Sequence, residues 1–166
     1  MQRKRLDSVD RVKHFIAESH IPTELKFLAL ECTRTSFLAS QSLGCTLSEI
    51  AKTIGFLHFV TPTNIHPILV TLSGDKQVSL DKLARYLETT SSSMRKMSAD
   101  EVKTFTGYSI GGVPPFPHDR SVRVLADDSL FRFEKVWSVA GSSNTVMSLK
   151  PFYLIQLGIV RASLSQ

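Results

Sequence analysis

Cysteine is scarce in this 166-residue chain, which holds only Cys32 and Cys45. Two thiols at that spacing make no zinc pattern and no disulfide framework, so a reducing, cytoplasmic setting is the expectation. Long apolar runs are missing as well. None reaches the ~18 residues a membrane helix requires, and residues 1–20 are charged and amphipathic rather than built like a secretory leader. No membrane contact is expected. The common signatures of catalysis are absent too: there is no Gly-x-Ser-x-Gly elbow, Walker loop, dinucleotide fingerprint or His-Glu-x-x-His. The five histidines, His14, His20, His58, His66 and His118, lack metal-ligand spacing, so no metal or other cofactor is expected. Cys45 has nothing beside it in sequence to activate a thiolate, and a small buried thiol is its simpler reading. Asp127-Asp128, ahead of Ser-Leu-Phe, reads as a turn cap before it reads as a general-base pair.

What remains is an ordinary folded composition, 42% hydrophobic and 21% charged, with a net charge of +5 that tilts towards a polyanionic partner. The length suits one domain with a real core. Residues 1–8 read as a basic N-terminal tail and 9–166 as the domain. Local signals then mark the elements. Asp7 or Ser8 caps a helix through Val9, Val12, Phe15 and Ile16, and Leu25–Leu30 reads as a strand. Thr35 caps a helix over Ser36–Leu43 that Gly44 closes. Ile50–Val60 has the β-branched and aromatic content of a strand, Thr61–Pro67 reads as a loop, and Pro67 starts a second strand, Ile68–Leu72. Ser79 caps the clearest amphipathic helix, with Leu80, Leu83, Ala84 and Leu87 on one stripe. Met94–Met97 suits a short strand, and Ser98-Ala-Asp-Glu101 is a capping box for a helix that Gly107 ends. Strands follow at Val122–Leu125, Phe133–Ala140 and Thr145–Leu149, with a last helix entered at Pro151 and a short strand in Ile159–Leu164. This interleaving has no regular βαβ beat and predicts class α+β: one mixed, mostly antiparallel sheet among helices.

Two features stand out. Phe105–His118 carries three of the eight glycines and three of the seven prolines. Its Gly111-Gly112 pair reaches dihedrals closed to other residues, and the prolines after it are stiff. Such a loop either presents backbone N–H groups at a fixed place or merely makes a tight crossover. The second feature is Lys52, which shares an apolar strand face with Ile50, Ile54, Phe56 and His58 at period two. A lysine so placed must snorkel, pair with a carboxylate or meet an anionic ligand.

Together with their neighbours these features resemble a known family. Ile50-Ala-Lys-Thr-Ile-Gly-Phe is similar to the Lys-Thr strand of the YbaK-like aminoacyl-tRNA deacylases, which include the editing domain inserted in bacterial prolyl-tRNA synthetases. Asp75–Ala84 resembles the element that follows, Thr106–Phe116 the Gly-x-x-x-Pro loop, Leu125–Leu130 and Val136–Ser142 the next strand–turn–strand, and Ser148–Leu154 the closing helix start. The ordered set spans Val9–Leu157 and looks closer to free-standing members than to a synthetase insertion. It departs from the family at Pro117, where a glycine is usual, at Pro114, where a small polar residue is usual, and in a longer loop at 61–66. These departures bear on the preferred amino acid more than on the fold.

The resemblance implies a barrel-like sheet and an activity. The substrate would be an amino acid esterified to the 3′-terminal adenosine of a tRNA, often the proline one, with an aminoacyl-tRNA synthetase as a second partner. Backbone groups at Gly111 and Gly112 would hold and polarise the aminoacyl carbonyl, and Lys52 would place the terminal adenosine and its phosphate, with Thr53 beside it. Pro114, Pro115 and Phe116 would shape the side-chain pocket, and Gly141 and Ser142 would form the opposite wall. His118 would either hydrogen-bond substrate or simply end the loop. The other readings are a non-catalytic tRNA- or synthetase-binding member, and a hydrolase of small aminoacyl esters or thioesters.

Overall fold

In the computed structural model, which describes residues 6–166, helices and strands alternate irregularly along the chain. They are α1 (Ser8–Ser19), β1 (Leu25–Phe27), α2 (Ser36–Leu43), β2 (Ile50–Phe59), β3 (Ile65–Ser73), α3 (Leu80–Tyr86), β4 (Met94–Lys96), α4 (Ala99–Thr106), β5 (Arg123–Asp127), β6 (Val136–Ser142), β7 (Thr145–Leu149), α5 (Phe152–Gln156) and β8 (Val160–Ala162). Local chemistry sets most of these bounds. The Leu38 N–H donates to Thr35 Oγ1 at 3.1 Å to start α2, and Gly44 ends it in the left-handed region at φ 66°. Ser98 and Glu101 close their capping box in both directions at the start of α4. Asp7 caps α1 by accepting the Asp10 N–H at 2.8 Å, so Ser8 belongs to the helix and not to a tail. The basic residues 1–5 of the expected tail lie outside the described residues.

All eight strands form one sheet in the order β1-β7-β6-β2-β3-β5-β8, with β4 paired to β2 off this path. The β2–β3, β2–β4, β6–β7 and β1–β7 pairings are antiparallel, while β2–β6, β3–β5 and β5–β8 are parallel. The class is therefore α+β with a mixed sheet. One face of the sheet packs Leu57, Leu69, Met97, Val102 and Leu154 with Val12 of α1. The other packs Phe56, Ile68, Val70 and Leu125 against Leu83 and Ala84 of α3. A smaller group, Ile50, Trp137 and Val146, lies under Ala39 and Leu43 of α2.

Three strand bounds differ from the sequence reading by three residues, and the others by less. β3 begins at Ile65, so His66 and Pro67 are in the strand. Pro67 faces Leu57 of β2, and pairing with β5 starts only at Ile68, so no neighbour asks for the proline's missing N–H. β1 stops at Phe27 because Leu30–Thr33 winds into a 3₁₀ turn. β6 begins at Val136 because Phe133 still belongs to the turn before it, its N–H donating to Leu130 O at 3.3 Å.

The pairing around β2 creates the site. β6 joins β2 only through Ile50↔Trp137 and Ala51↔Ser138. On the same side β4 joins it only through Phe56↔Lys96, Leu57↔Arg95 and His58↔Met94. Among the described residues, none of 52–55 of β2 has a strand partner on that side.

Candidate functional site

A cavity of about 340 Å³ opens at this gap. Its spine is β2 from Ile50 to Gly55; Arg34, Thr35 and Ser36 border it at the start of α2, Lys96 and Met97 at the end of β4, and Ile110, Gly111 and Val113 on the loop after α4. Strand alternation divides it into two sides. Lys52, with Ile50 and Ile54, stands on one face of β2; Ala51, Thr53 and Gly55 stand on the other. Gly55 is needed there because an added Cβ would lie 2.7 Å from Met97 Sδ and 3.4 Å from Leu69 Cδ2. Met97, Leu69, Val102 and Val113 make that side apolar, and all four are buried.

The other side is cationic. Lys52 Nζ donates to Gly74 O at 3.2 Å and is half-buried. Burial pushes its ammonium below the usual range; the Asp75 carboxylate works against that shift and Lys96 adds to it. Arg34 also lines the cavity, and among the described residues no carboxylate does. The lysine therefore snorkels to one carbonyl and still presents a poorly solvated charge to the cavity. Such a charge favours an anion in contact with it. Thr53 Oγ1 is 2.9 Å from Thr71 Oγ1 on the paired rung of β3.

Phe105 and Thr106 still belong to α4, and the loop that follows, Gly107–His118, borders the cavity through Ile110, Gly111 and Val113. Gly107 ends α4 at φ 77° and Gly111 turns the chain again at φ 85°. The Gly112 N–H is spent within the loop, donating to Ser109 O at 2.9 Å. Gly112 is close-packed, since a Cβ there would stand 3.0 Å from Ser142 Cα. Gly111 is exposed at the cavity mouth.

A family profile described as an aminoacyl-tRNA editing domain matches residues 31–157, which include every cavity residue. The chain belongs to that family. It is 34% identical over 113 residues to the uncharacterized protein YwhH of Bacillus subtilis (strain 168), a stretch covering 68% of each chain. It is 30% identical over 112 residues to the multifunctional Ser/Thr-tRNA deacylase ProXp-y of Escherichia coli (strain K12), covering 67% of this chain and 65% of that protein. Among solved structures, hypothetical protein APE2540 superposes with a TM-score of 0.84 at 27% identity, covering 94% of this chain and 99% of the other. A protein provisionally described as a trans-editing enzyme for prolyl tRNA synthetase superposes with a TM-score of 0.81 at 26% identity, covering 98% and 99%.

The editing domain brings Lys52, Thr53 and Gly111 together in one cavity, with Gly112 seated just behind. It does not bring the remaining expected site residues there. Pro114 is buried, and its carbonyl accepts the His118 Nε2–H at 2.7 Å. Pro115, Phe116 and His118 border a separate cavity of about 280 Å³ with Phe15 of α1. The Phe15 and Phe116 rings lie 5.4 Å apart, so the far end of the loop is turned onto the first helix. Pro117 follows the same course, its carbonyl accepting the Tyr108 hydroxyl at 3.1 Å. Burial pushes the His118 imidazole down to about 4, and its Nδ1 is buried without a partner. Ser142 supports Gly112 from behind. Gly141 lies against α1, where a Cβ would collide with Ser8 O.

The sequence reading did not single out Arg34, Lys96 or Met97. Arg34 carries no local signal beyond standing before the Thr35 cap. Lys96 and Met97 sat in a short strand with no sign of its partner. Their place depends on the Phe56↔Lys96 pairing and on Met97 N–H donating to Gly55 O at 2.9 Å.

Proposed function

We propose that this editing domain, taken as residues 9–166, is a free-standing cytoplasmic deacylase that hydrolyses the ester of a wrongly attached amino acid on tRNA. The observation that carries the reading is the two-sided cavity: cations without a carboxylate on one side of a strand edge, a closed apolar recess on the other. The aminoacylated 3′-terminal nucleotide of a tRNA has the matching order of parts, phosphate, then ester, then side chain.

In this reading Lys52, with Arg34 and Lys96, takes the terminal phosphate and positions the adenosine, a task for point charges. The recess of Met97, Leu69, Val102 and Val113 takes the amino-acid side chain. Gly111 approaches the ester from the loop, while Gly112, Pro114, Gly141 and Ser142 hold that loop in place. Pro115, Phe116 and His118 anchor its far end on α1. Water attacks the acyl carbon; the new C–O bond replaces the bond to the ribose 3′ oxygen, which takes up the water's proton. The products are the free amino acid and tRNA with its terminal hydroxyl restored. Such chemistry needs held reactants and a stabilised oxyanion, and no protein nucleophile. Specificity for proline tRNA and co-operation with a synthetase belong to the same reading.

The test is a deacylation screen over Ala-, Cys-, Ser-, Thr- and Pro-charged tRNAs with the intact protein and Lys52→Ala. At least one ester is expected to be cleaved, and Lys52→Ala to lower kcat/KM by ~10²-fold through loss of a charge-assisted contact. Its thermal midpoint should not fall, because a desolvated charge has been removed. Equal turnover by the two proteins sinks the role of Lys52. Tight, salt-sensitive tRNA binding with every ester left intact identifies a non-catalytic binder instead.

A further inference from the structure

Main-chain groups of successive strand residues point to opposite neighbours. Ile50 O accepts the Gly74 N–H at 2.7 Å on the β3 side, and Gly55 O accepts the Met97 N–H at 2.9 Å on the opposite side. Thr53 lies two residues before Gly55 and so directs its own N–H and C=O to that same opposite side. There β6 pairing ends at Ala51 and β4 pairing begins at Phe56. Among the described residues neither ladder reaches Thr53, and its N–H and C=O make no bond to a loop, turn or cap. Unpaired rungs inside a protein are costly and rarely left without a use. This one opens into the cavity between the Lys52 side and the Met97 side.

We propose that the main chain of Thr53 is the rung on which the aminoacyl group docks, an inference that rests on the deacylase reading above. The substrate's amino acid pairs as a one-residue antiparallel strand. Its α-ammonium donates to Thr53 C=O, and its ester carbonyl oxygen accepts the Thr53 N–H. This is strand addition reduced to a single residue. The pairing demands a free α-ammonium, directs the side chain to the apolar recess and leaves the adenosine on the cationic side. The N–H hydrogen bond strengthens as water adds and the carbonyl oxygen becomes an oxyanion. Thr53 supplies a donor that Gly112 cannot, its N–H being held by Ser109.

Two measurements test this. The first follows amide exchange in the ¹⁵N-labelled protein with 3′-alanylamino-3′-deoxyadenosine, whose amide link resists hydrolysis. The Thr53 amide should exchange freely alone and at least ~10-fold more slowly with the probe, while adenosine and the N-acetylated probe give no protection. An unprotected Thr53 amide, equal protection by the N-acetylated probe, or no binding at millimolar probe overturns the proposal. The second replaces the Thr53 amide by an ester, which removes the N–H and weakens the Lys52 carbonyl as an acceptor on the β3 side. The expected result is a ~10²-fold loss of kcat with KM little changed; wild-type kcat overturns the proposal. If the ester-containing protein does not fold, the amide-exchange result on the natural chain decides. An intact protein that cleaves esters without Thr53 protection refutes the docking alone. One that protects Thr53 yet cleaves nothing refutes the deacylase reading alone.

Discussion

His118 shows how a residue can be eye-catching in sequence and structural in the fold. Its Nε2–H is committed to Pro114 O, and its ring meets Tyr108 edge-on at 5.4 Å. Burial keeps the imidazole neutral, at about 4 against an ordinary 6.5. The unfolded chain thus binds a proton between these values that the folded chain refuses, so stability is full above pH 6.5 and falls as pH drops towards 4. The decline amounts to roughly 2–3 kcal/mol. His118→Gln is expected to flatten the thermal-midpoint profile over that window. A profile as steep as the wild type's would show that another group carries the acid sensitivity. Lys52 is the opposite case. The sequence already marked it as misplaced on an apolar face, and the fold leaves it desolvated with one carbonyl for company.

At the scale of elements, Asp127 ties three pieces of chain together. The fully buried carboxylate accepts the Ser129 N–H at 3.0 Å and the Leu164 and Ser165 N–H groups at 2.8 and 2.9 Å. It thereby caps the turn after β5 and pins the segment that follows β8. Burial opposes its charge, but these donors prevail and hold the carboxyl below its ordinary 3.8. Its stabilisation is present above that value and is lost as pH falls below it, a more acidic window than that of His118. Asp127→Ala leaves three donors unpaired, two of them buried, and should cost about 3 kcal/mol in urea unfolding, with Asp127→Asn costing less. If Asp127→Asn instead abolished ester cleavage at unchanged stability, the residue would be a general base and not a cap. The short β4 is the other telling element. Its three residues build the far bank of the β2 gap, and the Met97 that follows it closes the apolar recess.

For the whole molecule, the net charge of +5 gains meaning only from where the cations stand. Arg34, Lys52 and Lys96 converge on one cavity from three separate segments. Neutralising the terminal phosphate of a single-stranded tRNA end gives log K against log salt a slope of about −0.7. Raising salt should therefore weaken use of aminoacyl-tRNA while leaving a minimal aminoacyl-adenosine, which lacks the phosphates, nearly unaffected. Salt dependence that is the same for both substrates would mean that the tRNA is not read here and would favour a small-ester hydrolase. No described helix is long and apolar enough to cross a membrane.

Much of this fold is legible along the chain because its signals are local. Thr35 with Gly44, Ser98 with Glu101, and Ser79 before the Leu80 stripe each satisfy backbone groups within a turn or two of themselves. The start of β3 ahead of Pro67 is not legible in the sequence, because a proline's tolerance in a strand depends on whether a neighbour needs its N–H, which only the sheet decides. The site divides along the same line. Residue type alone singled out Lys52, as a charge on an apolar strand, and the Gly111-Gly112 loop, as backbone freed for close approach. Where Pro115, Phe116 and His118 point, which cations join Lys52, and that the rung at Thr53 is open were decided by the tertiary structure. Strand pairing across tens of residues leaves no trace in the neighbours of any one of them, and a gap between two short pairings exists only once both have formed.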